Sequence, residues 1–370
     1  MKITSLETFV LHVPVTGGGV ADALHTLTHW GVPGVIIHTD AGIDGYGYLG
    51  THAHLASDRL ICRWIEECYA PLLVGEDPRD VQALWTKLFR HPPLQWVGRA
   101  GVSHLALGAV DIALWDIKAK AAGEPLWQLL GGKSEKTLTA YNTDGGWLNF
   151  SLDQLLADTR ESVEGRGFKA VKIKVGHENP STDLRRLEAV RRALGPEIRI
   201  MTDANGRWDL PTATRFGLGA RDLDLVWFEE PIWYDDVEGH RRLAEKIPVP
   251  VALGEQLYTA EHFAAFVARD AVHYLQPDVT RLAGVTEFWR VAELGHAHRL
   301  PVVAHAGDMM HVHLHLSVAH PAIHWLEYIP WLLPVFEEPA EVRDGVMVVP
   351  QKPGAGSTVR SDAMERYRVA

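Results

Sequence analysis

The sequence predicts an α/β protein: a (β/α)8-type barrel, a modified TIM barrel, joined to an α+β capping domain. Three observations lead there. From about residue 136, short apolar runs alternate with helical segments, the pattern of a parallel sheet covered by helices. Seven of the eight runs end in a chemically reactive polar residue, and these recur at intervals of 22 to 29 residues, about one βα unit each. The region ahead of them has a different grammar, strands first and helices after. A chain of 370 residues with 46% hydrophobic content has core enough for a barrel with an attachment.

Residues 1–50 read as strands and turns: "ITSLETFVLHV" alternates, and "GVIIHTDAGIDGYGYLG" reads as a hairpin with a Gly-rich turn. Residues 57–132 read as helices. "SDRLICRWIEECYAPLLVG" and "DPRDVQALWTKLF" each open on a capping-type residue. "SHLALGAVDIALWDIKAKAAG" is apolar and small almost all round, so it is expected to be buried and to stop at Gly123, with Pro125 starting the next turn. The barrel runs follow as "TLTAYN", "AVKIKVG", "IRIMTDAN", "LVWFEEP", "VPVALGEQ", "VHYLQPD", "PVVAHAG" and "IHWLEY". The strand ends are Lys174, Asp203, Glu229, Glu255, Asp278, His305 and Glu327. A barrel gathers such ends at one mouth; a doubly wound open sheet gives no reason for reactive groups on seven successive strands.

Charge and composition exclude several classes of function. A net charge of −11 disfavours nucleic acid, which needs a basic face. Cys62 and Cys68, six apart, form neither a redox pair nor a zinc knuckle, which suits a reducing cytoplasm. No signal-peptide core or membrane-length apolar run is present, so the expectation is a cytoplasmic protein away from membranes.

The strand ends carry the chemistry. Asp203, Glu229 and Glu255 end consecutive strands, which lie roughly 4.8 Å apart in a sheet. Three converging carboxylates repel unless a cation joins them, and an all-oxygen set without thiolate or imidazole fits Mg²⁺. Lys172 and Lys174 alternate onto the inward face. A neighbouring ammonium and a bound cation both favour the neutral amine that a general base requires. Asp278 beside His305 makes a carboxylate–imidazole dyad, and Glu327 is placed to hydrogen-bond a substrate oxygen. The set suits removal of a proton next to a carboxylate, with the metal and Lys172 stabilising the enediolate.

The stretch "VVAHAGDMMHVHLHLSVAH" holds five histidines. His311 and His315, four apart, have the spacing of a zinc-protease helix, but Val312 stands where that motif needs Glu. His311 is expected to border the pocket as a substrate contact.

These pieces resemble the mandelate racemase subgroup of the enolase superfamily. The resemblance rests on "ALGAVDIALWDIKAKAAGEPLWQLLGG", "VKIKVG", "DAN", "WFEEP", "LGEQ", "QPDVTRLAGVTE", "AHAGDMMHVHLHLSVAHP" and "LEY", in family order along nearly the whole chain. It implies Lys174 and the His305–Asp278 dyad as acid/base catalysts, in keeping with the Lys or His bases and Mg²⁺ of enolase-superfamily sites. It implies one Mg²⁺ per subunit on Asp203, Glu229 and Glu255, Glu327 as a hydrogen-bond donor, and Asn205 near metal-bound substrate or water. It divides the chain into a capping part (1–132), a barrel (133–330) and a C-terminal segment completing the cap (331–370). The loop "VTGGGVADALH" would close over substrate with Asp22 and His25 as contacts; read without the family, "TGGG" is equally a plain flexible turn. Ala304 replaces a common proline and Ala283 one of a common Gly-Gly pair, and neither removes a catalytic group. The family implies a homo-oligomer, up to an octamer. The implied activity is dehydration of an acid sugar to a 2-keto-3-deoxy acid. A racemase or epimerase and a cycloisomerase use the same groups, and a non-catalytic barrel would lack one or more of them.

Overall fold

The computed structural model describes residues 1–51, 54–305 and 310–369. In the cap, β1 (Ile3–Pro14) pairs antiparallel with β2 (His29–Thr39), and β2 with β3 (Gly45–Tyr48). Alternation along β1 turns Phe9, Leu11 and Val13 to the core.

The glycines of β3 are a packing requirement. Helix Val102–Ala122 lies across them so closely that a Cβ on Gly47 would fall 1.7 Å from the Ala109 carbonyl oxygen, and one on Gly45 2.3 Å from that of Ala113. This helix is buried along most of its length and stops at Gly123, whose φ of +72 gives it a left-handed cap. Both features follow the sequence reading.

The same helix docks the barrel. A Cβ on Gly108 would come 2.8 Å from the Thr280 carbonyl oxygen. The Asp111 carboxylate accepts from the Thr286 amide (2.9 Å) and hydroxyl (2.8 Å), and Trp115 Nε1 donates to that hydroxyl at 3.0 Å. Burial still pushes the Asp111 carboxyl up to about 7, against the Thr286 donors. Asp116 ties the other side, accepting from the amides of Tyr46 (3.0 Å) and Ala355 (2.8 Å).

The barrel strands are β4 (Thr139–Asn142), β5 (Ala170–Lys174), β6 (Arg199–Asp203), β7 (Leu225–Glu229), β8 (Val251–Leu253), β9 (Tyr274–Leu275), β10 (Val302–Ala304) and β11 (Ile323–Tyr328). They run parallel in chain order, and β11 pairs back onto β4 with Glu327 opposite Tyr141, closing the ring. Tyr141, Ala170, Met201, Trp227, Ala252 and Val303 fill its interior. A larger apolar cluster, including Val171, Ile173, Ile200 and Phe228, packs outward against the helices. The C-terminal segment serves both halves. Val346, in a short hairpin, pairs with Thr139 of the barrel, whereas helix Ser361–Tyr367 leads to Val369, whose amide donates to Val10 of β1 at 3.0 Å. No helix among the described residues is long and apolar enough to cross a membrane.

The loop after β9 explains the Gly-Gly position noted in the sequence. Ala283 sits at φ +57 and Gly284 at φ +108, both left-handed, and the Ala283 carbonyl accepts from Trp85 Nε1 at 2.8 Å. A Cβ on Gly284 would meet the Asp111 carboxylate at 2.3 Å. Gly284→Ala is therefore expected to cost at least ~2 kcal/mol. Ala283→Gly should change stability by less than about 1 kcal/mol, because relief of the left-handed alanine offsets the buried methyl lost. Urea denaturation of both variants checks this; equal effects would contradict the packing described.

Candidate active site

Strand register sets three carboxylates at one level. Asp203 lies opposite Glu229, and Glu255 follows the end of β8 by two residues. One oxygen of each lies within 4.8 Å of the others, and all three residues are buried. The donor set, three anionic oxygens with no thiolate or imidazole among them, fits a hard divalent cation. Glu229 also accepts from Trp227 Nε1 (3.1 Å) and Gln276 Nε2 (2.7 Å). Burial pushes its carboxyl up to about 7, a direction reinforced by Asp203, Glu327 and Glu255 and opposed by Lys172. Glu230 adds a further buried carboxyl. It is held at φ +38, and its Oε1 has no hydrogen-bond partner among the described residues. The negative charge at this mouth calls for compensation.

Both lysines of β5 reach the trio. Lys172 Nζ lies 2.8 Å from Glu327, 3.0 Å from Glu229 and 3.6 Å from Asp203. Lys174 Nζ lies 2.5 Å from Asp203 and 3.3 Å from Asn205 Oδ1. Burial favours the neutral amines, but the surrounding carboxylates outweigh it, and both lysines are held above the ordinary lysine range. Glu327 differs from the donor that the resemblance implies. It accepts from Lys172 and from the Thr143 hydroxyl (2.5 Å), and although burial pushes its carboxyl up, Lys172 and His305 hold it below the usual range.

Across from β5, His305 follows β10. Its Nδ1 lies 2.9 Å from Asp278 Oδ2, and its Nε2 lies 2.9 Å from Glu255. The other Asp278 oxygen accepts from the Thr280 amide and hydroxyl, both at 2.7 Å. Burial alone would keep the His305 ring neutral, but Glu255 and Asp278 raise it well above the ordinary histidine range. The dyad has the arrangement read from the sequence, with Nδ1 anchored and Nε2 facing the carboxylates.

The cap closes over one chamber lined by Lys174, Asn205, Glu255, His305 and Glu327, and it brings Asp22 and His25 into the wall. Asp22 Oδ1 accepts from the amides of Leu24 and His25, both at 2.7 Å, and Oδ2 lies 3.0 Å from His25 Nδ1. That hydrogen bond holds the His25 ring above its ordinary range. Sequence reasoning missed the roof. Trp147 and Trp331, from the loops after the first and eighth strands, stack at 5.2 Å, and Lys174 Nζ lies 5.6 Å from the Trp147 ring. It also missed Thr143 and Gln276. Gln276 lies inside the run "VHYLQPD", and the other three stand one to five residues beyond a barrel run, which was the available signal.

The five histidines separate. His305 belongs to the site, and His313 Nε2 accepts from the Val279 amide at 2.9 Å, bracing the loop that carries Asp278. His315 Nδ1 accepts from the Trp127 amide at 3.2 Å, and His320 Nε2 lies 3.3 Å from Glu293. His311 is not brought to the chamber. It is buried against Phe336 and Gly356, with both ring nitrogens unpartnered among the described residues. No third ligand among the described residues joins His311 and His315 into a metal site. Residues 306–309 of that histidine-rich stretch lie outside the described residues.

Comparison with known proteins places the chain in a family. Residues 5–131 match the mandelate racemase / muconate lactonizing enzyme N-terminal domain, and residues 154–363 match an enolase C-terminal domain-like family. The chain is 39% identical over 331 residues to an L-talarate/galactarate dehydratase of Salmonella typhimurium, covering 88% of this chain and 80% of that protein. It is 32% identical over 322 residues to a D-galactarolactone cycloisomerase of Agrobacterium fabrum, covering 82% and 84%. A crystal structure of an L-talarate dehydratase from Polaromonas, complexed with Mg and L-glucarate, superposes with a TM-score of 0.90 at 36% identity, covering 100% of this chain and 98% of that one.

Acid should destabilise the fold through the two buried rings of helix Met310–Ala319. Burial depresses His311 to about 4 and His315 to about 3. An unfolded ring takes up its proton near pH 6.5, so this stability is full above that pH and is lost as pH falls toward 4. For His311 the loss is roughly 3 kcal/mol. Urea denaturation at pH 7.5 and 4.5 should show that His311→Leu loses clearly less stability on acidification than the native chain; an identical loss would contradict this account.

Proposed function

The chain belongs to the mandelate racemase / muconate lactonizing enzyme family of the enolase superfamily, and on that premise we propose that it is a Mg²⁺-dependent acid-sugar dehydratase, a hydro-lyase. The observation that carries the reading is the convergence, in one chamber, of Lys174 from the second strand and the His305–Asp278 dyad from the sixth and seventh, beside the carboxylates of Asp203, Glu229 and Glu255. The dehydratase relative at 39% identity and the Mg-containing neighbour support the choice of chemistry.

In this reading Asp203, Glu229 and Glu255 hold the ion, which supplies positive charge for the substrate carboxylate and for the negative charge that develops on it. Lys172 adds a fixed ammonium at the same place, locked by Glu229 and Glu327, so that it stabilises without reorganising. One of Lys174 and His305 takes the proton from C2; the other delivers a proton to the departing 3-hydroxyl. His305 presents its Nε2 to the chamber while its Nδ1 is held by Asp278, a placement that suits either role. Asp278, itself fixed by Thr280, holds the tautomer and orientation of the ring. Trp147 and Trp331 close the roof and exclude water, which strengthens every charge interaction beneath them. Homo-oligomeric assembly and a cytoplasmic location belong to the same proposal and rest on the family resemblance.

The cycloisomerase relative keeps a second reading in view, because cycloisomerisation or epimerisation needs the same proton abstraction. Incubation with a library of acid sugars and Mg²⁺ should yield a 2-keto-3-deoxy acid, and EDTA should abolish its formation. Lys174→Ala and His305→Asn should each lower turnover by about 10²- to 10⁴-fold. Deuterium incorporation at C2 in D₂O without any keto acid would overturn dehydration in favour of epimerisation.

A further inference from the structure

The chamber over the catalytic groups has two unlike halves. One is charged, with Lys174, Glu255, His305 and Glu327. The other is apolar, and most of it is indole. Trp30 comes from β2 of the cap, Trp147 from the loop after β4, and Trp331 from the loop after β11. Trp331 is the middle ring. It stacks on Trp147 at 5.2 Å between ring centres, with 21° between the planes, and its centre lies 5.7 Å from that of Trp30. The chamber encloses only about 40 Å³, little more than one water molecule occupies, so small shifts of these rings change what enters it.

Backbone contacts place the loop of Trp147 over Lys174. Gly146 lies so close to β5 that a Cβ there would fall 2.0 Å from the Lys172 carbonyl oxygen. The Gly146 carbonyl accepts from the Lys174 amide at 2.7 Å. The same loop seats the cap: the Leu148 amide donates to the Ala21 carbonyl (2.9 Å), and the Ala21 amide donates to Asn149 Oδ1 (2.8 Å), one residue before Asp22.

Trp331 is held through its side chain. Its Nε1 donates to Asp144 Oδ1 at 3.0 Å. Asp144 does not line the chamber; it stands behind the rings, in the wall of a separate cavity of about 260 Å³. The Asp144 amide donates to Asn142 Oδ1 (2.8 Å), and Asn142 Nδ2 donates to Ser162 Oγ (2.9 Å), which fixes this carboxylate to the end of β4 and to the helix beyond. A carboxylate that cannot reach substrate, bonded to the ring between two others, has no chemical role of its own but sets where that ring lies.

We propose that Asp144 is a positioning residue of the catalytic chamber. By holding the Trp331 N–H from behind, it locks the Trp331–Trp147 stack and keeps the Trp147 face 5.6 Å from Lys174 Nζ. The proposal rests on the reading of Lys174 as an acid/base group. With Asp203 engaged by a cation, the indole face and Asn205 remain beside Lys174. The electron-rich face orients the ammonium, and the ring keeps water from the reacting centre. Substrate binding falls to the ion and Lys172, so loss of the lock should appear in kcat rather than KM.

Stacked indoles couple their electronic transitions. The couplet that Trp331 contributes to the far-ultraviolet circular dichroism is the difference between the native chain and Trp331→Phe, measured without substrate. Asp144→Leu removes the acceptor and should lose that couplet. Asp144→Asn, whose amide oxygen still accepts from the indole, should keep it. Turnover, read as keto acid or as deuterium exchange at C2, should follow. Asp144→Leu should lower kcat roughly 10- to 100-fold, with KM changed less than about threefold, and Asp144→Asn should stay within about threefold of the native chain. Trp331→Phe should lose a similar amount, and adding Asp144→Leu to it should lower kcat no further. No couplet in the native chain, a native couplet and kcat in Asp144→Leu, additive losses in the double variant, or an Asp144→Asn as impaired as Asp144→Leu overturns the proposal. If the native chain neither turns over nor exchanges any acid sugar, the acid-sugar reading fails, and the couplet still decides whether Asp144 locks the stack.

Discussion

Three carboxylates buried at one level of a barrel mouth are the constraint on which the rest of the site depends. Asp203 and Glu229 are paired by strand register, and Glu255 joins them from the turn two residues past the end of β8. Like charges so close, screened from water, must be met by cations or take up protons. The structure answers with every cation within reach. Lys172 spans Glu229 and Glu327, Lys174 sits on Asp203, and the His305 ring sits on Glu255. These groups are also the ones that proton transfer at a carbon acid requires. A divalent cation on the trio would take over the charge balance and free Lys174 and His305 for the substrate. The same electrostatic demand thus explains the metal site and the placement of the catalytic groups.

Helix Val102–Ala122 ties the cap to that mouth, with Trp85 adding a hydrogen bond to the same barrel loop. Val102–Ala122 touches the glycines of β3 on one side and the loop 280–286 on the other. That loop follows directly from Asp278, and His313 braces its start. The position of the cap, and with it Asp22 and His25, is therefore set by the segment that carries the dyad. The two left-handed residues Ala283 and Gly284 allow the helix to come so close. Packing in the cap and geometry in the barrel are coupled through backbone contacts that tolerate no added atoms.

Much of this was legible in the sequence because a barrel converts strand periodicity into position. The seven strand-end residues could be counted off, and all seven lie at one mouth. The trio, the His305–Asp278 pair and the inward lysines required only alternation and spacing. Side-chain ionisation was less legible. With no ion on the trio, the carboxylates around Lys172 and Lys174 outweigh the neighbouring ammonium and hold both as ammonium groups. Glu327 accepts hydrogen bonds for the same reason. The Trp147–Trp331 roof was invisible because its halves lie 184 residues apart in loops with no period. His311, read as a pocket residue, faces the C-terminal segment, whose return path across the cap no local pattern encodes.

Location of a bound ion tests the central claim most directly. In a crystal of the protein grown with Mn²⁺ in place of Mg²⁺, anomalous scattering should show one peak per chain. It should lie within about 2.2 Å of an oxygen from each of Asp203, Glu229 and Glu255, with the Lys174 ammonium withdrawn from Asp203. A peak bound by fewer than these three carboxylates, or placed elsewhere with both lysines still seated on the trio, would contradict the account.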